Sequence, residues 1–311
     1  MAIPTGTLTS SSTISNLVQT AYDQYVRMAL RSIPVMRALA DVKPVQQAMP
    51  GSSVVFSIYS DLNTATGTLT ETSDVSSIAL GNPSQVTVTL NEYGSAVTTT
   101  KKLNLTSFND VDSALADIIA YNAADSIDVV VANVLTAGTN VIYGGTATGT
   151  SGITASGTMS VADIREAVVQ LRTNKAVPRI GELYAAYLHP RQSADLRAEA
   201  GTGGFQELTK YVERTPFVAG AVGVIEGAFV VETPRVPSAS NGASPAVTVY
   251  KAVVAGREAL AEAQAQDIST VIGPEIDALR RFRTIGWYYF GGFNRLREAA
   301  LYRIETATSI N

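Results

Sequence analysis

Cysteine is absent from all 311 residues, which excludes disulfides and thiolate metal centres and leaves the redox compartment unread. Histidine occurs once, at His189, so the usual His-rich zinc and di-iron sets are excluded too. Charge is scarce: Asp, Glu, Lys and Arg make up 16% of the chain, with a net charge of -4. That balance argues against a protein that coats nucleic acid through a basic stripe. No uninterrupted apolar run approaches the roughly 20 residues that cross a bilayer, and the first residues, Met-Ala-Ile-Pro-Thr-Gly, lack a secretory signal's basic and apolar regions. A soluble chain made in a cytoplasm is expected, with no membrane partner.

What is present is 46% apolar content, ample for a sizeable core, and a polar remainder rich in Thr, Ser, Asn and Gly. Such a surface suits burial against other subunits. Residues 1–16 hold eight Ser or Thr with little apolar periodicity, as an extended arm would; a neighbouring subunit is the simplest thing to hold it down. Leu17, Ala21, Tyr25, Met28 and Ala29 follow at helical spacing, before Pro34.

Residues 51–100 contain neither Lys nor Arg, but carry Asp61, Glu71, Asp74 and Glu92. Their ends alternate as strands around Val54–Ile58 and Val86–Leu90, separated by about 25 residues rich in Thr, Ser and Gly. A long two-stranded hairpin is marginal alone, and its exposed edges need partners. A hairpin of a β-sandwich within the same chain is the plainer alternative.

From Asn109 or Asp110 a helix is predicted, with Leu115, Ile118, Ile119, Ile127, Val130, Val131 and Val134 apolar and Gly138 as its stop. At 1.5 Å per residue it would run about 40 Å, a structural spine. The six glycines and seven threonines of residues 136–160 predict a loop or loose hairpin. Ser160 and Asp163 form a capping box for a helix ending near Thr173, Leu183–Leu188 is a strand, and a helix follows His189-Pro190 to Gly201. Phe229-Val-Val231 is strand, residues 238–245 a polar loop, and Val247–Val253, Phe282–Phe290 and Ala299–Ile304 are strands. Between residues 279 and 303 stand Arg280, Arg281, Arg283, Arg295, Arg297 and Arg303 against one acid, Glu298. This basic block complements the acidic hairpin.

Catalytic patterns are missing. His189 has no adjacent triad partner, and the chain holds no Gly-x-Ser-x-Gly elbow, Walker loop or His-Glu-x-x-His motif. Gly220, Gly223 and Gly227 are spaced for turns, not for a dinucleotide, and Asp110 with Asp112 suits a helix start better than a calcium loop. The run from Arg280 through Trp287 to Phe290 could stack bases, but strand alternation can equally send its aromatics to a core and its arginines to neighbouring carboxylates. No catalytic, cofactor-binding or metal-binding residue is assigned, and no cofactor is expected.

The order of these pieces resembles a tailed-phage major capsid protein of the HK97 fold, and the chain is similar to the N4-gp56-type major capsid family. The carrying residues are Leu69-Thr-Glu-Thr72, Val88-Thr-Leu-Asn-Glu-Tyr-Gly94, Tyr187-Leu-His-Pro190 and Phe229-Val-Val-Glu-Thr-Pro234. The resemblance implies an α+β fold with an N-terminal arm (1–45), an extended E-loop hairpin (46–104), a P-domain with the long spine helix (105–138 and 246–311) and an A-domain (139–245). It implies a non-enzymatic shell protein assembling through pentamers and hexamers into an icosahedral virion shell around double-stranded DNA, built in the bacterial host cytoplasm. Its partners would be itself, packaged DNA by weak contact, and portal, decoration and scaffolding proteins. Without an N-terminal scaffolding domain of about a hundred residues, scaffolding is expected from a separate protein. The E-loop lysine through which some members crosslink is absent, so that crosslink is not expected. Glu71, Asp74 and Glu92 are the expected inter-subunit partners of a neighbour's Arg280, Arg281, Arg283, Arg295 and Arg297. An encapsulin-like bacterial compartment shares the fold, and an enzyme using carboxylates alone is the alternative from another class.

Overall fold

The computed structural model describes residues 35–44, 52–106, 111–199 and 223–310, apart from single positions 51, 60, 61, 63, 70, 76, 245 and 276 within or beside them. The helix expected from Leu17 onward, Asn109, Asp110, Gly220 and most of the N-terminal arm lie outside the described residues. At the arm's described end, Met36–Leu39 form a short 3-10 turn that runs into strand β1 (Ala40–Pro44).

The hairpin strands are β2 (Ser53–Ile58) and β3 (Ser84–Thr89), antiparallel and in register from Ser53 opposite Thr89 to Ile58 opposite Ser84. β4 (Asn91–Thr100) follows at once, then the short helix α1 (Lys101–Thr106) and the spine α2 (Val111–Thr136). Next come β5 (Val141–Tyr143), α3 (Val161–Thr173), β6 (Tyr184–Leu188) and α4 (Pro190–Ala198). The remainder is β7 (Val224–Ile225), β8 (Ala228–Glu232), β9 (Ser238–Ser240), β10 (Thr248–Ala255), β11 (Leu260–Ile272), β12 (Phe282–Arg295) and β13 (Leu301–Thr306).

Two larger sheets result. One has the order β1-β11-β12-β4; the other runs β5-β13-β10-β6-β8-β7, with β9 also on β10. The returning C-terminal segment, taken from sequence as one P-domain piece, is thus shared between them: β10 and β13 join β6 and β8, whereas β11 and β12 join β1 and β4. β11 was not anticipated, because its first residues, Leu-Ala-Glu-Ala-Gln-Ala-Gln, lack the β-branched alternation of a strand. The residues 136–160 loop contains β5, and the expected polar loop after Pro237 begins with β9, which pairs with β10.

One core joins both sheets. α2 sends Ile119, Ala123, Ile127, Val131 and Leu135 inward at i, i+4 spacing onto β12, into a core they share with Trp287 and Tyr289 and with Ile164, Val168 and Leu171 of α3. By length and composition Leu115–Thr136 would be long and apolar enough to cross a membrane, although polar residues interrupt its apolar run. Here one face packs into this core, and Trp287 donates its indole N–H to Asn122 at 2.9 Å. Ser160 caps α3 as expected: its hydroxyl accepts from the Asp163 N–H while the Asp163 carboxylate accepts from Ser160 N.

His189 ends β6 and caps α4. Its Nδ1 accepts from the Arg191 N–H at 3.2 Å, Gln192 accepts from its backbone N–H, and its ring lies 4.5 Å from that of Tyr250. Burial, with Arg191 adding to it, pushes the imidazole below its usual range, which favours the neutral form that can act as an acceptor. His189 is thus a structural landmark.

Candidate assembly surface

The hairpin root crosses the outer face of the four-stranded sheet. Val88 and Leu90 are buried with Ala261 and Ala263, and Val54, Phe56 and Phe290 pack around them. Gly292 makes the crossing possible, because a Cβ there would meet the Thr89 carbonyl oxygen at 2.0 Å. Asn294 ties the crossing down by donating to the Thr87 carbonyl at 2.8 Å.

Beyond the root the picture reverses. Tyr59, Leu62, Leu69, Val75, Ile78 and Leu80 are all large, apolar and exposed, Leu69 at 76%. Burying such side chains is worth about 1.5–3 kcal/mol each, so their display calls for a partner surface. Glu71 and Asp74 are exposed among them, and the Asp74 carboxylate accepts from the Val75 N–H at 2.8 Å. Glu92 lies apart from them, exposed on β4 and hydrogen-bonded to Tyr288 of β12.

The arginines anticipated as their partners fall into two groups. Arg280, Arg281 and Arg283 are exposed at the start of β12, where Arg281 pairs with Asp277 at 2.5 Å and Arg283 also makes an interaction. Lys101 and Lys102 are exposed beside them, since the Lys101 N–H donates to the Arg281 carbonyl at 2.8 Å. The sequence block omitted these lysines because they lie almost 180 residues away in the chain. Arg295 and Arg297 are at the other end of β12 and are half-buried. Arg295 is engaged inside its own chain, with Glu298 at 2.8 Å and the Val134 carbonyl at 3.1 Å. Although burial opposes it, the Thr139 N–H and Arg295 hold the Glu298 carboxyl below its usual value. Arg303 likewise serves the fold: it donates to the carbonyls of Thr136, the last residue of α2, and of Gly138 just beyond it, and its Nε lies 2.8 Å from buried Glu305, off hydrogen-bond alignment. Cations at a helix C-terminus complement its dipole.

A clasp that the sequence did not reveal fixes the root of the arm. Asp128, fully buried on α2, accepts from the N–H groups of Val35, Met36 (2.6 Å) and Arg37. Burial pushes its carboxyl up, against the lowering effect of those three N–H groups. Arg37 then forks onto Glu262 of β11, at 2.6 Å from Nη2, and reaches Asp267; Tyr289 donates its hydroxyl to the same Glu262 at 2.9 Å. Burial, with the Glu262 charge adding to it, pushes the Tyr289 phenol well above its ordinary value. Arg179 completes the clasp on Asp41 at 3.0 Å and the Ala38 carbonyl at 2.9 Å. The partners that hold the arm's root lie 91 to 230 residues from it, too far for any local spacing to show.

Among the described residues no cluster of three or more His, Cys, Asp or Glu is placed to hold a metal. The described groove of about 390 Å³ lies on the outer face of the four-stranded sheet beside β4.

The sequence model of the family described as "Phage capsid protein" matches residues 9–310. Among solved structures, the chain is similar to the capsid of Ralstonia phage GP4, at 17% identity and a TM-score of 0.75 over 94% of this chain and 96% of that one. The cyanophage Pam1 capsid asymmetric unit gives 13% identity and a TM-score of 0.75, over 99% and 100% of the two chains. The capsid of Helicobacter pylori bacteriophage KHP30 gives 16% and 0.74, over 99% of each. No curated protein matches. At these identities the likeness is one of fold, with the extended hairpin, spine helix and two sheets in the HK97-like arrangement. With a family match running almost from end to end, the chain belongs to the phage capsid protein family.

Proposed function

We propose that this chain is the major shell protein of a tailed phage, closing with copies of itself as pentamers and hexamers into an icosahedral virion shell around double-stranded DNA. The observation that carries this reading is the hairpin: a folded root, then a stretch whose large apolar and acidic side chains are displayed to solvent. A chain that must enclose a genome of any sequence needs large heterologous contacts with its own copies and no reactive cleft. In this reading the arm is 1–45, the E-loop 46–104, the P-domain 105–138 with 246–311, and the A-domain 139–245. Glu71 and Asp74 meet a neighbour's Arg280, Arg281 and Arg283, with Glu92 and the half-buried Arg295 and Arg297 at the margin of that contact. Assembly takes place in the host cytoplasm, with scaffolding, portal and decoration proteins as separate partners and DNA held by weak contact. The test is the particle mass of the chain expressed alone, by light scattering with negative-stain microscopy. Closed megadalton shells support the reading, and pentamers or hexamers support it with a separate scaffold. A strictly monomeric chain at high concentration, with and without phage lysate proteins, would overturn it.

A further inference from the structure

β4 is the outermost strand of its sheet, and its outer edge carries no strand among the described residues. Its ten residues pair one-to-one with β12 from Asn91 opposite Gly291 to Thr100 opposite Phe282, with no bulge. Ser95, Ala96, Val97 and Thr98 are exposed, and Glu92 is the one charge on the strand. Proteins usually blunt such an edge with proline, lysine, a bulge or a covering loop, because its free N–H and C=O groups template another strand. β4 has no proline, lysine or bulge within its length, and no strand covers its outer edge among the described residues.

A strand suited to that edge stands in the same sequence. Residues 5–15, Thr-Gly-Thr-Leu-Thr-Ser-Ser-Ser-Thr-Ile-Ser, are uncharged and proline-free, and eight of the eleven are Ser or Thr. Eleven extended residues span about 36 Å, against about 33 Å for β4. The arm's root is clasped at β1, the opposite edge of the same sheet. Chains repeating side by side therefore bring the β1 edge of one copy toward the β4 edge of the next, and the 20 residues between Ser15 and the clasped root at Val35 can reach at most roughly 70 Å. We propose that residues 5–15 of one copy add a strand to the open β4 edge of the next, a head-to-tail β-augmentation that links subunits through backbone hydrogen bonds. This rests on the self-assembly proposed above and names one of its contacts.

The cysteine-free sequence makes the test direct. Chains carrying Thr7→Cys, Thr9→Cys or Ser11→Cys are mixed, each in turn, with a differently tagged Ala96→Cys chain, assembled, and treated with a short bis-maleimide before denaturing electrophoresis. The expected result is a mixed-tag dimer, reduced about tenfold when Val97→Lys places a charge on the edge, with the urea midpoint of the Val97→Lys subunit unchanged. Particles without the mixed dimer would overturn the strand addition while leaving the shell reading intact. Dimers of Ala96→Cys chains alone would replace it with β4 pairing to β4, and a crosslink confined within a chain carrying both cysteines would replace it with docking onto its own edge. Failure to form any oligomer would reject the shell reading itself.

Discussion

The seven-stranded sheet and the distal hairpin obey the same physical chemistry with opposite outcomes. In the sheet, every residue of β6 is buried, and the polar groups that enter with α4 find partners at home. Gln192 donates to the Tyr250 carbonyl and to Thr306, Ser193 donates to Glu232, and Asp195 accepts from the N–H and hydroxyl of Ser309. In the hairpin, six large apolar side chains and two carboxylates face solvent. One region is complete within a single chain and the other makes sense only in an assembly. Stability and assembly should therefore be separable by mutation.

Leu188→Ala is expected to break the self-sufficient side hardest. The side chain is fully buried in the main core, and the cavity left behind should cost about 2–5 kcal/mol, read as a lower urea midpoint of the isolated subunit. Assembly should fall with it. Next, Arg37→Ala leaves the fully buried Glu262 with the Tyr289 hydroxyl in place of an ion pair, an expected loss of roughly 3 kcal/mol in the same measurement. An unchanged midpoint would show that the clasp is not a determinant of the fold.

His189→Ala removes a helix cap and should cost about 1 kcal/mol. The wild-type contribution has a definite pH sign. Because burial and Arg191 lower the imidazole in the folded state, the unfolded chain binds the proton first. The stabilisation is complete above about pH 6.5 and is lost as the pH falls from there toward the lowered folded value. His189→Ala should flatten that part of the stability profile, and a profile identical to wild type would reject the assignment.

The smallest effect on the subunit and the sharpest contrast should come from changing Glu71, Asp74 and Glu92 to Lys together. These side chains are exposed, so the urea midpoint should move by no more than about 0.5 kcal/mol in equivalent stability. Shell yield by sedimentation should nevertheless collapse, through like-charge repulsion against Arg280, Arg281, Arg283 and the adjoining Lys101 and Lys102. Normal shells from the triple variant would remove the charge-matching argument.

Local patterns were legible because local physics wrote them. The apolar spacing of the spine, the Ser160–Asp163 capping box and the alternation of Val54, Phe56, Val86 and Val88 all act within a few residues, and α2, α3, β2 and β3 stand where those signals place them. The lack of cations across residues 51–100 likewise marked the hairpin. β11 escaped notice because its alanines and glutamines gain strand structure from two flanking strands, not from their own propensity. The arginine block looked uniform in sequence, yet opposite ends of the fourteen-residue β12 carry its members into solvent or into the α2 C-terminus.

By itself, then, the sequence determined the chain's vocabulary: no thiol chemistry, one histidine at a strand end outside any catalytic motif, a cation-free hairpin and a spine of helical period. Only the tertiary structure decided which charges are committed inward and which edge stays open. Asp128 and Glu262 became acceptors for the arm's root, Arg295 and Arg303 became stays for α2, and β4 became an edge, because each outcome depends on residues brought together across 90 to 230 positions of chain. Pairings of that range are fixed by the packing of whole elements, and no short window of sequence contains both halves of them.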